Sequence, residues 1–380
     1  MRILHTSDWH IGRRFHQVDL LPDQALFGDW FVELVKAESI DVVVISGDVF
    51  DRASPKVEAI DLLDDLLHRL RSIGSSIVMI SGNHDSAERL HFGSRFMAGG
   101  GLHIATERPD IKSMSRTVTL TGPKGDSVTF LPLPYLDPNR VRMEEGERTH
   151  EEVLRQVIAA SRSATLNPER TVVMAHAFVR DSATSDSERK LVVGGTGAVQ
   201  PELFDGFAYV ALGHLHKPQP VGAKNAFYSG SPLAYSFSEE GHEKSVRIID
   251  SDDGFKSHSV KIDVGRAVAT IKGTLGELLE SPAFKPFTDC FVRAVLTDKS
   301  PQLGAMEQLR KRFANVLDMD QEVLHRDKAG SSPLEQSGKR TDPVEVVNEY
   351  INDYFPDDDP ERDSFLASSR IIAFEKVYSA

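Results

Sequence analysis

The first third of the sequence alternates short apolar runs with amphipathic segments, and this alternation restricts the possible folds more than any other feature. The apolar runs have the length and β-branched composition of buried strands, and the segments between them repeat apolar residues at helical spacing. Such alternation predicts an α/β fold, a sheet covered by helices. The predicted strands are Arg2–Thr6, Asp41–Ser46 and Ser76–Ser81, and the predicted helices are Asp19–Glu38 and Lys56–Ile73.

Two further patterns follow along the chain. Up to Asp263 we predict one helix, His150–Ser163, and the strands Val118–Thr121, Val128–Leu131, Thr171–Met174, Tyr209–Leu212, Phe227–Ser229, Ser245–Asp250 and His258–Asp263. A small βαβα module is then predicted, with elements Ala267–Lys272, Leu275–Leu279, Cys290–Leu296 and Leu303–Leu317. The polar, Ser- and Gly-containing stretch Lys328–Thr341 predicts a linker. We therefore expect three parts: residues 1–263, residues 264–328, and residues 329–380 with one helix and an acidic tail.

Five predicted strands are each followed at once by side chains that bind metal ions. Because the carboxyl ends of strands in α/β sheets gather at one edge, these side chains are expected to meet. Taken singly, each motif has an ordinary explanation, such as a capped turn or a buried core histidine. Their repetition at the same position after five strands makes coincidence improbable. The candidate ligands are Asp8, His10, Asp48, Asn83, His176, His214 and His216.

The ligand types indicate the chemistry of this candidate site. Oxygen and imidazole ligands without thiolate suit Mn²⁺, Fe²⁺ or Zn²⁺. Seven ligands exceed the protein share of one ion, so we expect two ions that share one carboxylate at a separation of about 3.5–4 Å. Two such ions retain positive charge beside two carboxylates, which suits a phosphodiester and its transition state. A bound water would also lose its proton near neutral pH.

His84 and Asp85 directly follow the candidate ligand Asn83. An imidazole without a metal at this place would orient the scissile phosphate or protonate the leaving oxygen. Asp85 would hold the ring of His84 in one tautomer. Asp85 is equally suited to cap the following helix, and the two roles are compatible. We therefore predict His84 and Asp85 as catalytic residues.

Composition limits the compartment and the partners. One cysteine, Cys290, excludes an internal disulfide and a Cys-based metal site, which favours a reducing compartment such as the cytoplasm. The N-terminal sequence lacks the pattern of a signal peptide, and no apolar run reaches the length of a membrane span. The net charge is −13, but residues 341–363 contribute −8 of it. The remaining charge is small enough that an anionic substrate is not excluded.

The order of the motifs D-x-H, G-D-x-x-D, G-N-H-D and G-H-x-H, with an isolated histidine before the last, resembles the calcineurin-like metallophosphoesterase superfamily. The segments MRILHTSDWHIG, ISGDVFDRASP, SGNHDS, ALGHLHKPQ and YSGSPLAYSF are similar to the SbcD family of bacterial nuclease subunits. The resemblance covers about residues 1–263. It implies a sheet sandwich flanked by helices, with the small module as a capping domain.

The resemblance also implies roles for individual residues. One metal would be held by Asp8, His10, Asp48 and His216. The other would be held by Asp48, Asn83, His176 and His214, with Asp48 as the bridge. His84 would be the catalytic histidine, and manganese the preferred ion. The implied activity is exonuclease at double-stranded DNA ends and endonuclease at hairpins, in DNA repair, recombination and replication near the nucleoid.

The implied partner is the coiled-coil ATPase SbcC, which binds the ATP, with a homodimer of this chain inside a heterotetramer. The predicted C-terminal helix Pro343–Phe355 carries an apolar stripe for that partner. The same stripe is also compatible with a helix that packs on its own core. The stripe consists of Val344, Val347, Ile351 and Phe355, and the basic residues beside the metal motifs, predicted to contact DNA phosphates, are Arg13, Arg14, Arg52 and Lys217.

Two other functions remain open at this point. One is a phosphomonoesterase or cyclic-nucleotide phosphodiesterase with the same metal site, against which the capping module and the C-terminal helix speak. The other is a scaffold without catalysis that binds DNA ends or the ATPase. For the homodimer, we expect apolar helix faces near Leu62, Leu66 and Phe92 to take part.

Overall fold

A computed structural model describes residues 1–143, 146–162, 166–188, 197–222 and 225–326 of the chain. The chain divides into two compact units, Met1–Gln321 and Glu322–Ala380. In the second unit the described residues contain one short helix, Val323–Arg326. The first unit holds the sheets and the candidate ligands, and the following paragraphs concern that unit. The predicted partition at residues 263 and 328 stays a prediction.

Two six-stranded sheets dominate the first unit. The first sheet has four parallel strands in its middle and at one edge, and two antiparallel strands at the other edge. Its spatial order is Lys256–Lys261, Ser245–Asp250, Arg2–Thr6, Val42–Ser46, Ser76–Ile80 and Leu102–Ala105. The strand Leu102–Ala105 was not predicted, because four residues after a run of glycines give too short a pattern.

The second sheet has four parallel strands flanked by an antiparallel strand on each side. Its spatial order is Gln219–Pro220, Ala226–Tyr228, Tyr209–Gly213, Thr171–His176, Ser127–Leu133 and Val118–Thr121. Two short pairs lie outside the large sheets: Arg14–Phe15 with Val18–Asp19, and Phe178–Val179 with Ala198–Val199.

Alternating side chains of the strands build three hydrophobic layers. In Val42–Ser46, Val42 and Val44 belong to the core between the two sheets, whereas Val43 and Ile45 face the helices outside, as the two-residue period of a strand requires. The helices on the outside of the first sheet are Leu21–Ala37 and Val57–Ile73. Helix His150–Arg162 covers the second sheet. The predicted sheet sandwich flanked by helices is therefore confirmed.

Shorter helical elements complete the first unit. The α-helices are Ala87–His91, Ser94–Gly99 and Ile111–Met114. The 3₁₀ turns are Pro168–Arg170, Pro201–Phe204, Phe237–Glu239, Ser251–Asp253 and Pro282–Phe287. No helix in the described part of the chain has the length and apolarity that crossing a membrane requires.

The small module has one strand more than predicted. Its three strands, Val268–Gly273, Phe291–Leu296 and Val316–Gln321, are parallel, and its helices are Leu275–Glu280 and Ala305–Arg312. The predicted helix Leu303–Leu317 is thus wrong at its C-terminal end, because Phe313 leaves helical backbone geometry and buries its ring. Val316 then pairs with Val292. The module is βαβαβ rather than βαβα.

The module is attached to the large sheets by an ion pair and an aromatic cluster. Arg266 donates to both carboxylate oxygens of Asp23, and its guanidinium lies 4.2 Å from the centre of the Phe291 ring. Phe291 packs edge-on against Phe15, with ring centroids 5.5 Å apart. Asp23 belongs to the first helix, and Phe15 to the short strand Arg14–Phe15 that follows the first strand of the sheet. The module is therefore fixed near the strand ends.

Candidate metal centre

The predicted ligands come together where the carboxyl ends of the strands of both sheets meet. Asp8, His10, Asp48, His176, His214 and His216 are at most 4% exposed, and Asn83 is half-buried. Backbone contacts join the loops that carry them: Asp8 N–H donates to the carbonyl of Gly47, and His10 N–H to that of Asp48. His214 N–H donates to Oδ1 of Asp8 at 2.9 Å. The seven side chains are therefore held by a rigid framework.

Four of the candidate ligands have left-handed backbone geometry. The φ angles are +54° for Asp8, +46° for His10, +50° for Asp48 and +107° for His214. This region is unfavourable for residues other than glycine, and such strain concentrates at functional sites. Gly47 serves the same site differently, since a Cβ there would lie 2.4 Å from Nδ1 of His176. This unfavourable backbone geometry is the cost of directing these side chains into the centre.

One cluster of ligand atoms lies around His10. Its Nε2 is 3.1 Å from Nε2 of His216 and 3.5 Å from Oδ2 of Asp48. Ligand atoms of Asp8, His10 and His216 all lie within 4.8 Å of one another. A further group of the same kind combines His10 and Asp48 with His84, so the ligand set of the first metal stays a prediction.

A second cluster lies around His176. Its Nε2 is 2.9 Å from Oδ1 of Asn83 and 3.5 Å from Oδ2 of Asp48. Nδ1 of His214 is 3.3 Å from the same Asn83 oxygen. Oδ2 of Asp48 therefore lies 3.5 Å from a nitrogen in each cluster, which is the place expected for a bridging carboxylate.

The chemistry of these groups fits divalent cations. Burial lowers the pKa of His10 and of His216 to about 4, so both rings are neutral at pH 7. Burial would also lower the pKa of His176, but the carboxylate of Asp48 raises it to about 9. The His176 ring therefore holds a proton close to the oxygen acceptors of the centre. Burial raises the pKa of Asp8 to about 8. Convergent acceptors of this kind require positive charge between them.

Hydrogen bonds behind the ligands fix the nitrogen that two of the histidines, His176 and His216, present. Nδ1 of His176 donates to the carbonyl of Ser46 at 2.9 Å. Nδ1 of His216 lies 2.6 Å from Oγ of Ser187, which donates to Oε1 of Glu239 at 2.7 Å. In this arrangement Nε2 of each ring is left as the metal-facing atom, as is usual for metal-bound histidine.

The chain behind His216 ends in a buried ion pair. Nζ of Lys244 donates to Oε2 of Glu239 at 2.5 Å and to the carbonyl of His216 at 3.0 Å. Despite burial, Lys244 holds the pKa of the Glu239 carboxyl far below its ordinary value. Sequence reasoning missed Ser187, Glu239 and Lys244, because they lie in irregular loops whose polar composition is that of ordinary surface segments. Only the tertiary fold brings them behind a ligand.

The structure corrects the role predicted for Asp85. Its carboxylate accepts hydrogen bonds from the backbone N–H groups of Val49, Phe50 and Gly82, at 2.8–3.1 Å. Nδ1 of His84 instead lies 2.8 Å from the carbonyl of Asp51. Asp85 thus holds together the loops that carry Asp48 and Asn83, because three backbone donors satisfy its oxygens.

The helix after Asp85 has a different capping residue. Oγ of Ser86 accepts from Arg89 N–H, so the predicted capping role belongs to Ser86. His84 itself lies in the centre, with its ring 4.6 Å from that of His10.

The four basic residues predicted to contact DNA have different surroundings. Arg13 is largely buried and donates to Oδ1 of Asp51 at 3.0 Å, so it is part of the wall of the centre. Arg14 is exposed, Arg52 is 73% exposed, and Lys217 is half-buried beside His216. Arg14, Arg52 and Lys217 stay predicted phosphate contacts. The predicted partner stripe, Val344, Val347, Ile351 and Phe355, lies outside the described residues.

Comparisons with known proteins agree with this geometry. The family model for calcineurin-like phosphoesterases matches residues 1–218. A second model, SbcD_C, described as the type 5 capsule protein repressor C-terminal domain, matches residues 264–354.

Among solved structures, TT1561 of Thermus thermophilus is 13% identical and has a TM-score of 0.40, covering 69% of this chain and 98% of its own. A dimetal phosphatase from Danio rerio, LOC 393393, is also 13% identical, with a TM-score of 0.39, and covers 69% of this chain and 99% of its own.

Proposed function

Because the chain belongs to the calcineurin-like phosphoesterase family, as a metal-dependent hydrolase of the SbcD type, we propose that it is the two-metal nuclease subunit of a DNA-processing complex. It would hydrolyse phosphodiester bonds at double-stranded DNA ends as an exonuclease and at hairpins as an endonuclease. The observation that carries the proposal is the buried double cluster around Asp48, in a chain whose residues 264–354 match an SbcD-type domain.

The residues that would hold the two ions are those predicted from the sequence. Asp8, His10, Asp48 and His216 would form one set, which is supported by the short distances among Asp8, His10 and His216. Asp48, Asn83, His176 and His214 would form the other, which is supported by the contacts of Asn83 with both histidines. Two divalent ions, Mn²⁺ in our proposal, would supply positive charge to the phosphodiester and acidify a bound water. In a set of oxygen and nitrogen ligands without thiolate, Mn²⁺ is a suitable ion.

His84 would donate the proton that the leaving oxygen needs. The carbonyl of Asp51 holds Nδ1 of His84 at 2.8 Å, so Nε2 is the atom that faces the reaction. Nδ1–H of His84 donates to this carbonyl in both the neutral and the protonated ring, which favours a ring that gains and loses its second proton at Nε2. Asp85 acts through the loops and is a positioning residue.

An extended substrate is favoured by a cleft beside the centre. The cleft has a volume of about 460 Å³ and is lined by Ser187 and Tyr235 near the centre and by Thr270 and Arg293 of the small module. A small phosphate ester would not need a surface that continues onto a second module. This continuity supports a nucleic-acid strand, and Arg13 is the predicted phosphate-contact residue that lines the cleft. Arg14, Arg52 and Lys217 lie outside that lining, and their contacts with phosphates are proposed from the sequence.

We also propose that two copies of the chain associate, within a heterotetramer that contains the ATPase SbcC. Phe92 and Phe96 are 84% and 91% exposed, and exposed aromatic residues in one segment mark an interaction surface. Leu66, in contrast, is 1% exposed and belongs to the core, so its predicted part in the dimer is wrong. The C-terminal helix would contact SbcC, which would bind ATP, at the nucleoid in DNA repair, recombination and replication.

The test is the cleavage of an end-labelled linear duplex and of a hairpin in Mn²⁺, with and without the ATPase and ATP. Asp48→Ala removes the shared carboxylate, and Asp65→Ala is the matched control, because Asp65 is 56% exposed on a helix. We expect metal-dependent release of nucleotides by the wild type and by Asp65→Ala, and none by Asp48→Ala. Hydrolysis of small phosphate esters alone would favour a phosphomonoesterase, and no hydrolysis of either substrate would favour a scaffold.

A further inference from the structure

A second pocket lies at the edge of the first sheet, outside the metal centre. It has a volume of about 290 Å³ and lies between the helix Ser94–Gly99, the strand Leu102–Ala105 and the edge of the second sheet. Proteins bind small organic ligands in pockets of about this volume or larger. Neither the metal centre nor the proposed nuclease activity uses this pocket.

The rim of the pocket is strongly basic. Arg95, Arg108, Arg116, His91 and His103 line it, and in the described part of the chain no aspartate or glutamate does. This is unexpected in a chain that has 57 acidic and 44 basic residues. Three guanidinium groups at one rim repel one another unless an anion lies between them.

Among the described residues no carboxylate makes a close ion pair with the arginines of the rim, although the charge of Asp110 interacts with Arg108 and Arg116 at longer range. Within those residues, none of the three arginines makes an ion pair shorter than 4.0 Å. The carboxylate of Asp110, close in sequence, is exposed and accepts instead from the N–H and Oγ of Ser113, at 2.9 and 2.6 Å. Arg108 donates to Nε2 of His91 at 2.8 Å, so this ring is a neutral acceptor that positions the guanidinium.

The pKa of His91 at the rim reflects the positive charge of the neighbouring arginines. Partial burial and the positive charges of Arg108 and Arg95 lower the pKa of His91. The local potential is therefore positive in the absence of any ligand, as expected for a place that attracts anions.

The floor of the pocket is apolar. Val78 and Met114 are buried there, Pro132 and Pro134 form one wall, and Ala98 lies on the helix above. An inorganic anion would gain no binding energy from contact with these apolar side chains, whereas the planar base of a nucleotide would bury apolar surface against them. The combination of a basic rim and an apolar floor distinguishes this pocket from a simple phosphate site.

The pocket shares a wall with the metal centre. Ser81 N–H donates to the carbonyl of Ala105 at 3.1 Å, and Tyr135 N–H donates to the carbonyl of Ser81 at 2.9 Å. Ala105 lines the pocket, and Ser81 begins the loop that carries Asn83 and His84. A ligand in the pocket would therefore lie directly behind a loop of the centre.

We propose that this pocket binds a phosphate-bearing organic anion of nucleotide size, with the phosphate at the arginine rim and the base on the apolar floor. The phosphate has two possible sources: a free nucleoside monophosphate, or a backbone phosphate of a nucleic-acid strand. The shared chemistry is a nucleotide phosphate. The proposal does not depend on the metal centre or on the proposed nuclease activity.

The test is isothermal titration of the full chain with dAMP, deoxyadenosine and inorganic phosphate, in a chelator so that metals do not contribute. We expect dAMP to bind, inorganic phosphate to bind at least tenfold more weakly, and deoxyadenosine not to bind detectably. The double substitution Arg108→Gln and Arg116→Gln should weaken dAMP binding by about tenfold or more, the loss expected for charged hydrogen bonds.

A control changes the net charge equally elsewhere. Arg69→Gln with Arg155→Gln removes two helical arginines outside the pocket, one half-buried and one exposed, and should leave dAMP binding unchanged. Ala98→Phe fills the pocket from the helix above the floor without a change in charge and should also abolish binding. No binding of dAMP to the wild type, or equal binding by the wild type and the Arg108 and Arg116 double variant, would overturn the proposal.

Competition separates the two sources of the phosphate. The dinucleotide d(ApA) without a terminal phosphate carries only an internal diester. If it displaces dAMP as well as dAMP itself does, the pocket holds a strand backbone. If only dAMP competes, the pocket holds a free nucleotide. Both results support the proposal and assign the source.

Discussion

The Nε2 atoms of His10 and His216 lie 3.1 Å apart in the buried centre, and both imidazole rings are neutral at pH 7. Ser187 and Glu239 determine that Nε2 of His216 carries a lone pair. In the absence of a metal, Nε2–H of His10 can donate to this lone pair, and a divalent cation that binds both nitrogens would take the place of that proton. The contact is therefore best understood as half of a metal site.

Substitution of Ser187 by alanine should weaken metal binding without removing a ligand. The change deletes the hydroxyl that links Nδ1 of His216 to Glu239, so the ring loses its fixed tautomer. Loss of such a supporting contact costs about 10–100-fold in metal affinity or activity. The measurement is a Mn²⁺ titration followed calorimetrically. Ser72→Ala, on an exposed helix face, is the control, and equal affinity of both variants would contradict the role of Ser187.

Substitution of Glu239 by glutamine should destabilise the fold. Lys244 would then be a buried cation without its counter-charge, since its other two partners are neutral oxygens. Breaking a buried pair by removing one partner costs about 3–5 kcal/mol. Urea denaturation would measure the free energy of unfolding.

A matched control for Glu239 is Glu243→Gln. Glu243 is 66% exposed and pairs with Lys261 at 3.6 Å, so its loss should change the free energy of unfolding by less than about 1 kcal/mol. The double variant Glu239→Gln with Lys244→Met should recover part of the lost stability, because no buried charge remains. A double variant as unstable as Glu239→Gln would show that the pair is not the cause.

Substitution of His84 by alanine should separate binding from cleavage. The metal ligands stay in place, so we expect unchanged Mn²⁺ and DNA binding and a rate of strand cleavage lower by about 10²–10⁴-fold, the usual contribution of a general acid. A single-turnover assay with labelled duplex measures the rate, and His68→Ala on an exposed helix face is the control. Cleavage at the wild-type rate would remove His84 from the mechanism.

His5 should make the fold sensitive to acid. It is fully buried and lies between the hydroxyl of Tyr209 and the carbonyl of Leu212, and burial together with Arg247 lowers its pKa to about 3. The unfolded chain, whose histidine has its ordinary pKa near 6.5, binds more protons than the folded chain between pH 6.5 and 3. The stability contributed by neutral His5 is thus complete above about pH 6.5 and is lost as the pH falls.

The difference between the wild type and His5→Gln isolates this effect from other buried histidines. From pH 7 to pH 4.5, the wild type should lose roughly 2 kcal/mol more of its free energy of unfolding than His5→Gln. Urea denaturation at several pH values would measure it, and His68→Gln should follow the wild type. Parallel pH profiles for the wild type and His5→Gln would contradict the prediction.

Strand order and ligand identity were predictable to different degrees. The runs that form Arg2–Thr6 and Val42–Ser46 have clear apolar patterns, and the polar residues directly after them predicted the metal centre. The third strand of the small module, Val316–Gln321, was not predictable, because its residues alternate weakly and continue a helical pattern. The roles of Asp85 and Glu239 depend on backbone amides and loops that are distant in sequence, so no local pattern carries them.

The most direct test of the whole account is the number of Mn²⁺ ions bound at equilibrium by the wild type and by Asp48→Ala. Oδ2 of Asp48 lies 3.5 Å from a nitrogen of His10 and from one of His176, so its loss should affect both clusters. We predict two bound ions per chain for the wild type and for Asp65→Ala, and fewer than one for Asp48→Ala at the same free Mn²⁺ concentration. A single ion in the wild type, or two ions in Asp48→Ala, would contradict a centre built on a shared carboxylate.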